Sequence, residues 1–208
     1  MESDQYIIEP VKDFYNKQYG QPHRKYHNHS HITDMFVFAS FNDMMLAEEQ
    51  IAAIYFHDIY YDIKSNDVAT NEEKSAWYAY EHMKKYFDYD DKRANIVKNI
   101  ILDTADHFPT NGGDWSTPII DLDLWALYDI KEYKKNAWKI RQEYLCYSWK
   151  AFLSGRKKWL ETMVIRDKIY HSPYASNSMM NELANRNLKL ELEHIKSQNT
   201  WVDFITLN

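Results

Sequence analysis

The chain has 208 residues, of which 45% are apolar and 16% aromatic, with four glycines and five prolines. So few turn-forming residues argue against a β-sandwich or barrel and favour long helices around a substantial core. The formal net charge of −6, without any basic run, argues against nucleic-acid binding, although a locally basic pocket could still hold a single phosphate.

The expected compartment follows from what the sequence lacks. Cys146 is the single cysteine, so a disulfide framework within the chain is excluded and a reducing compartment is favoured. The polar N-terminus has no signal-peptide core, and no apolar run reaches the length of a membrane span. We therefore expect a cytoplasmic protein that does not bind membranes.

Five helices are expected in the first half of the chain. The first covers residues 4–19, with Asp4 as N-cap and Gly20 as stop, unless Pro10 delays its start to about residue 10. A polar loop containing four histidines then covers residues 20–31. The next helices are expected from about Ser30, from about Leu46 into His57-Asp58, from a capping box at Thr70 and Glu73 to about Tyr86, and from Asp90 or Asp91 to near His107.

Helices are also predicted in the second half of the chain. Thr117-Pro118 is typical of a cap followed by proline in the first turn, and it opens a short helix over residues 118–129. Residues 131–167 form one or two helices, with Gly155 as the expected break, and residues 175–197 form a last amphipathic helix. With no strand predicted anywhere, the expected fold class is all-α.

The most informative stretch is the apolar run of residues 51–56, which leads directly into His57-Asp58. Burying an unpaired carboxylate costs several kcal/mol, so this pair needs a partner. The doublet could be a core histidine hydrogen-bonded to its neighbour at a helix end. A divalent cation is the other partner that would satisfy both side chains.

Further candidate ligands lie near other helix ends: His31 in the second helix, His107 at the end of the fifth, and Asp123 or Asp121 at the start of the sixth. The ends of bundled helices can converge on one metal site. Imidazole and carboxylate ligands suit Mn, Fe, Co, Ni or Zn. Cys146 lies outside this set, and we expect one bound ion.

The ordered pattern His…His-Asp…His…Asp resembles the HD-domain superfamily of metal-dependent phosphohydrolases. The motifs resemble a bacterial subfamily of predicted phosphohydrolases: Arg24-Lys-Tyr-His-Asn-His-Ser-His-Ile, Tyr-Phe-His-Asp-Ile-Tyr-Tyr-Asp62, Asn71-Glu72 with Ser75-Ala76, Thr104-Ala-Asp-His107 and Asp121-Leu-Asp-Leu. Later pieces fit the same subfamily: Arg141-Gln-Glu-Tyr144, Gly155-Arg156 and Ala184-Asn-Arg-Asn-Leu188. The resemblance covers residues 15–192.

The resemblance implies a single HD-type helical domain over residues 1–208. Its metal-site core would cover about residues 24–130, with C-terminal helices at about 131–197 packing on it. The positions that match the superfamily's metal ligands best are His31, His57, Asp58 and Asp123. His107 is either a further ligand or a residue that contacts a ligand without binding the ion. Asp121 is an alternative to Asp123 as a ligand, and His27 is an alternative to His31.

The implied activity is hydrolysis of a small phosphate ester, such as a nucleotide, by water activated on a divalent ion (Mn, Ni, Co, Fe, Zn or Mg). Asp58 would bind the ion and orient or deprotonate water. Glu72 is a second candidate acid or base, and is equally well explained as a first-turn glutamate favoured by the helix dipole.

Three cations are candidates for contacting the substrate phosphate: Arg24, Lys25 and Arg141. For Arg141, a structural ion pair with Glu132 or Glu143 is an equal alternative. The alternative function is a metal-containing ligand-binding or regulatory protein with little turnover, and a homodimer stays open.

Overall fold

The computed structural model describes residues 6–7, 11–64, 67–175, 178–197 and 201–206. These residues form ten α-helices and three single turns of 3₁₀ helix, and none of them lies in a strand. The all-α prediction is therefore confirmed. Within the same residues, no helix is both long and apolar enough to cross a membrane.

The helices are α1 (Lys12–Tyr19), α2 (His29–Phe41), α3 (Glu48–Phe56), α4 (Asn71–Phe87), α5 (Asp91–Asp103), α6 (Thr117–Asp123), α7 (Ile130–Glu143), α8 (Trp149–Val164), α9 (Ser178–Lys196) and α10 (Trp201–Thr206). The chain divides into two compact units, Met1–Asp123 and Leu124–Asn208. The first unit contains α1 to α6, and the second contains α7 to α10. The single-domain arrangement with a metal-site core of residues 24–130 stays a prediction.

In the first unit, α3 packs against α2, α4, α5 and α6. Ala52, Ala53 and Ile54 are fully buried, and the two small alanine side chains let neighbouring helices approach closely. Because α3 has neighbours on several sides, even Glu49 and Gln50 are buried. The burial of α3 therefore places the His57-Asp58 pair, which follows it directly, in the interior of the unit.

Local capping signals are found where the sequence predicts them. The Thr70 hydroxyl accepts a hydrogen bond from the Glu73 amide, and the Glu73 carboxylate accepts one from the Thr70 amide, so the capping box of α4 is confirmed. At the start of α2, the Asn28 side chain accepts a hydrogen bond from the Ser30 amide. This cap sets His31 in the first turn of α2.

In the first unit, one helix start decides between two sequence-based alternatives and one helix end differs from the expectation. Residues 6–7 are not helical and α1 begins at Lys12, so the later start after Pro10 is the one found. Asp4, the alternative cap, lies outside the described residues. Helix α5 ends at Asp103 instead of near His107, since the chain reverses there and His107 adopts a left-handed backbone conformation with φ +53°.

The sixth helix was also predicted wrongly. It ends at Asp123 instead of continuing to residue 129, and a 3₁₀ turn over Trp125–Leu127 follows. Asp123 therefore closes α6 instead of opening it. The carboxylate reaches its partners from the last turn of the helix.

In the second unit, the predicted break at Gly155 is wrong, because α8 runs through this residue. Nothing lies within 4 Å of a Cβ built on Gly155, and the surrounding residues are good helix formers that tolerate one glycine. The interruption falls earlier, at the 3₁₀ turn Tyr144–Cys146, after which Ser148 caps α8. The short helix α10 was not predicted.

A buried carboxylate organises the second unit. Glu191 is fully buried and accepts hydrogen bonds from Arg156, from the Trp201 indole and from the Tyr133 hydroxyl. The network joins α7, α8, α9 and α10. Because Arg156 neutralises Glu191 and both carboxylate oxygens accept hydrogen bonds, this cluster has the character of a structural ion pair.

Candidate metal centre

Three helix ends of the first unit bring histidine and aspartate side chains together. His31 comes from the first turn of α2, His57 is the C-cap of α3 with Asp58 directly after it, and Asp123 is the last residue of α6. His31, His57 and Asp58 offer ligand atoms that all lie within 4.8 Å of one another. A group of this size and composition can hold a metal ion.

The contacts extend this group to Asp123. The Nε2 atoms of His31 and His57 are 3.2 Å apart. Asp58 Oδ2 lies 3.0 Å from His57 Nε2 and 3.9 Å from His31 Nε2. Asp123 Oδ1 lies 3.0 Å from His31 Nε2. Two imidazole nitrogens and two carboxylates therefore face one small volume.

The tautomer of His57 is fixed by the end of its own helix. Its Nδ1 lies 2.9 Å from the Ile54 carbonyl oxygen, which can only accept, so Nδ1 carries a proton. In neutral His57 the Nε2 lone pair then faces Asp58 Oδ2. A lone pair opposite a carboxylate is repulsive, so a cation, either a proton or a metal ion, is needed between the two atoms.

The pKa shifts describe the proton-bound form of the cluster. Burial lowers the pKa of His57, but the Asp58 carboxylate more than compensates and raises it to about 9. Burial raises the pKa of Asp58, and the charges of His57 and His27 hold it well below its usual range. The pKa of Asp123 is likewise lowered, since hydrogen bonds from His107 and His31 outweigh its burial.

Asp58 is the member of the cluster whose oxygen depends on a proton or a metal ion for a partner. Its Oδ2 atom is buried, and while His57 Nε2 carries no proton it accepts no hydrogen bond from any described residue. Buried carboxylate oxygens are normally satisfied, and here the nearest polar atoms are imidazole nitrogens. The donor set of imidazole nitrogens and carboxylate oxygens fits a divalent transition-metal ion such as Mn, Co, Ni, Fe or Zn.

His107 lies behind Asp123. Its Nε2 atom is 3.1 Å from Asp123 Oδ2, while Asp123 Oδ1 faces His31. A histidine that donates to a ligating carboxylate fixes the orientation of that carboxylate. Of the two interpretations that the sequence left open, the contacts favour His107 as a residue that holds a ligand.

The two aspartates of α6 are placed differently. Asp123 contacts His31 and His107, whereas Asp121 is buried two residues earlier. Side chains two positions apart on a helix point to widely different sides. The choice of Asp123 over Asp121 as the metal ligand stays a prediction.

His27 and Arg24 come from the loop before α2. The His27 ring stacks on Tyr61 at 4.1 Å and makes an edge contact with His31 at 6.1 Å between ring centroids. Arg24 is buried, and its guanidinium donates to the carbonyl oxygens of Asp58 at 2.7 Å and Ile59 at 3.2 Å. Arg24 thus holds the backbone of the histidine-aspartate segment, and its predicted role in binding substrate stays a prediction.

The other predicted substrate or catalytic residues have distinct surroundings. Lys25 is exposed. Glu72 lies half-buried in the first turn of α4, and its carboxylate makes no hydrogen bond or ion pair with another described residue. Arg141 belongs to the second unit, where it is buried over the rings of Trp149 and Phe152 and donates to the Tyr144 carbonyl. Roles in catalysis and substrate binding stay predictions for all three.

One residue next to the site was missed. Asp103 ends α5, is fully buried, and accepts hydrogen bonds across the loop that contains His107. The sequence carries the same kind of signal as at His57: an apolar stretch, Ile100-Ile-Leu102, leading into a carboxylate.

Comparison of the chain with protein-family models, with curated proteins and with solved structures finds no match in any of the three. The resemblance to the HD-domain superfamily therefore rests on the motifs in the sequence.

Proposed function

We propose that the protein is a metal-dependent phosphohydrolase that acts on a small phosphate ester. The observation that carries the proposal is the meeting of His31, His57, Asp58 and Asp123. The buried Asp58 oxygen in this group has no donor among the described residues while His57 is neutral. The motif resemblance to HD-domain phosphohydrolases supports the same chemistry. A divalent ion at such a site would lower the pKa of a bound water and polarise a phosphoryl oxygen.

The chain's own residues have separate tasks in this proposal. Once its Nε2 proton is displaced, His57 would present the Nε2 lone pair to the ion, because Nδ1 keeps its proton and donates to the Ile54 carbonyl. Asp58 is ionised at neutral pH and can accept a hydrogen bond from the attacking water, which orients it. His107 fixes the Asp123 carboxylate through its hydrogen bond.

Glu72 is proposed to transfer a proton to or from the reacting groups. Its half-buried carboxylate is not engaged by another described residue. The neighbouring Ser75 side chain bonds the Tyr60 amide, so the first turns of α4 lie against the segment that follows His57-Asp58. A carboxylate on this part of α4 is therefore close in the fold to the segment that carries the cluster.

The test combines metal analysis with a substrate screen. Protein purified without a histidine tag should contain close to one equivalent of a divalent metal, or take it up on incubation with Mn or Ni. The metal-loaded protein should hydrolyse at least one member of a phosphoester panel. Asp58→Ala should abolish that hydrolysis, and the exposed Asp13→Ala in α1 should leave it unchanged.

The outcomes separate the alternatives. Less than a tenth of an equivalent of bound metal, with no uptake of Mn or Ni, would show that the protein holds no metal ion and would refute the proposal. Metal binding without hydrolysis of any phosphoester would favour a metal-containing regulatory or ligand-binding protein. Hydrolysis that survives in Asp58→Ala would mean that another protein or another site is responsible.

A further inference from the structure

The loop between α5 and α6 is held by one buried carboxylate. Asp103 Oδ1 accepts hydrogen bonds from the Asn111 amide and side chain, both at 2.7 Å. Its Oδ2 accepts from the Gly112 amide at 2.8 Å and from the Ser116 hydroxyl at 2.6 Å. Four neutral donor groups of Asn111, Gly112 and Ser116 thus surround a carboxylate that is fully buried. We call Asp103 and these three residues the Asp103 clasp.

The clasp is packed so tightly that residue 112 must be a glycine. A Cβ added to Gly112 would lie 2.2 Å from the Ser116 hydroxyl oxygen and 3.4 Å from Asp103 Oδ2. Any side chain at residue 112 would therefore push Ser116 away from the carboxylate. Ser116 is also fully buried, so it has little room to move.

The clasp joins the two segments that carry His107 and Asp123. On one side, the Asp103 carbonyl accepts the Phe108 amide, which follows His107 with its φ of +53°. On the other side, the Ser116 carbonyl accepts the amides of Ile119 and Ile120 and so starts α6. Asp123 is the last residue of that helix.

We infer that Asp103 is a positioning residue for the metal centre, acting through the clasp to hold His107 against Asp123. The inference rests on the proposed metal site and adds a residue to it. Without the clasp, the left-handed backbone at His107 has fewer bonds to maintain it, because non-glycine residues adopt this conformation only when their surroundings hold them there. The His107–Asp123 hydrogen bond, and with it the orientation of the Asp123 carboxylate towards His31, should then loosen.

Asp103→Asn tests this with the smallest change of shape. The amide keeps one acceptor oxygen, so an NH₂ group must face either the two Asn111 donors or the Gly112 amide, and it cannot accept a hydrogen bond from them. Val97→Ala is the matched control, because Val97 is fully buried in the same helix and its truncation destabilises the fold without touching the clasp.

Two readouts are needed. In protein labelled with ¹⁵N at histidine, the His107 ring resonances should shift in Asp103→Asn and stay at their wild-type positions in Val97→Ala. The affinity for cobalt(II), followed by its visible absorption, should fall by about tenfold in Asp103→Asn, the lower end of what partners of metal ligands contribute. The control should keep the wild-type affinity and spectrum even where both variants melt at similarly lowered temperatures.

The two proposals fail in different ways. If the wild type binds no cobalt, the proposed function loses its metal, and the His107 resonances alone decide whether Asp103 positions this residue. Unchanged His107 resonances in Asp103→Asn would overturn the inference, whatever the metal result. If that variant does not fold, Ser116→Ala removes one of the four donors and should shift the same resonances in the same direction, and no shift there would also refute the clasp.

Discussion

The affinity of this protein for a divalent metal should rise steeply with pH, and His57 is the reason. In the metal-free protein the nearby Asp58 carboxylate raises the pKa of His57 to about 9. At pH 7 the protonated form is therefore favoured by about 100 to 1. A metal ion must displace that proton, so the apparent affinity at pH 7 should be about 100-fold below its limiting value.

The effect can be measured as the slope of metal affinity against pH. Between pH 7 and pH 8.5 the apparent association constant should rise about tenfold per pH unit, since one proton is released for each metal bound. Competition with a chromophoric chelator of known pH dependence, at constant ionic strength, measures this directly. Cobalt and nickel are suitable ions because both accept imidazole and carboxylate ligands.

Asp58→Asn supplies the internal comparison. Removing the carboxylate removes the main cause that raises the pKa of His57, while burial continues to lower it. The variant should bind metal more weakly overall, and its affinity should change little between pH 7 and pH 8.5. An affinity independent of pH in the wild type, or the same slope in both proteins, would refute the role assigned to His57 and Asp58.

Three further predictions concern other residues. Arg24→Lys should lower the melting temperature and weaken metal binding about tenfold, because the single ammonium nitrogen of lysine cannot reproduce the two separate guanidinium nitrogens that reach the Asp58 and Ile59 carbonyls; the exposed Lys25→Ala should change neither quantity. Glu72→Gln should reduce hydrolysis without altering metal affinity. Glu73→Gln is the matched control, because glutamine at this position keeps the capping box of α4, and it should leave hydrolysis intact; equal activity in the two variants would remove Glu72 from the mechanism. Gly155→Ala should stabilise the protein by about 1 kcal/mol in chemical unfolding, because the site is helical and open, and a destabilisation would show that α8 is not regular there.

The parts of the fold that sequence predicts well are those determined by a few adjacent residues. Thr70 and Glu73 bond each other across one helical turn, so the start of α4 needs no knowledge of the rest of the chain. The apolar run before His57 likewise predicts a helix that ends in the interior. In both cases the signal that predicts the feature lies in adjacent residues of the sequence.

The parts that sequence misses depend on residues far apart in the chain. Helix α5 ends at Asp103, where the carboxylate bonds Asn111, Gly112 and Ser116. The apolar stretch before Asp103 indicates that the carboxylate is buried, but the local pattern does not identify these partners, which lie 8 to 13 residues further along the chain. At Gly155 the error is of the opposite kind, since the sequence predicts a break that the structure does not have. A local breaker signal was overridden, because the residues on either side of it support a continuous helix.

Arg24 illustrates why a residue's role is harder to predict than its place in a motif. Its position before His31 suggested a phosphate contact, which the sequence cannot distinguish from a contact with backbone. The structure directs two of its guanidinium nitrogens to carbonyl oxygens next to the cluster. The motif therefore marks a residue that supports the site, and contact with a substrate stays a prediction.

The central claim is that His31, His57, Asp58 and Asp123 hold one metal ion, and anomalous diffraction tests it most directly. Crystals of the protein loaded with cobalt should show an anomalous peak about 2.1 Å from the Nε2 atoms of His31 and His57 and from carboxylate oxygens of Asp58 and Asp123. A fully loaded protein with no peak there, and with His57 Nε2 still in direct contact with Asp58 Oδ2, would contradict the account.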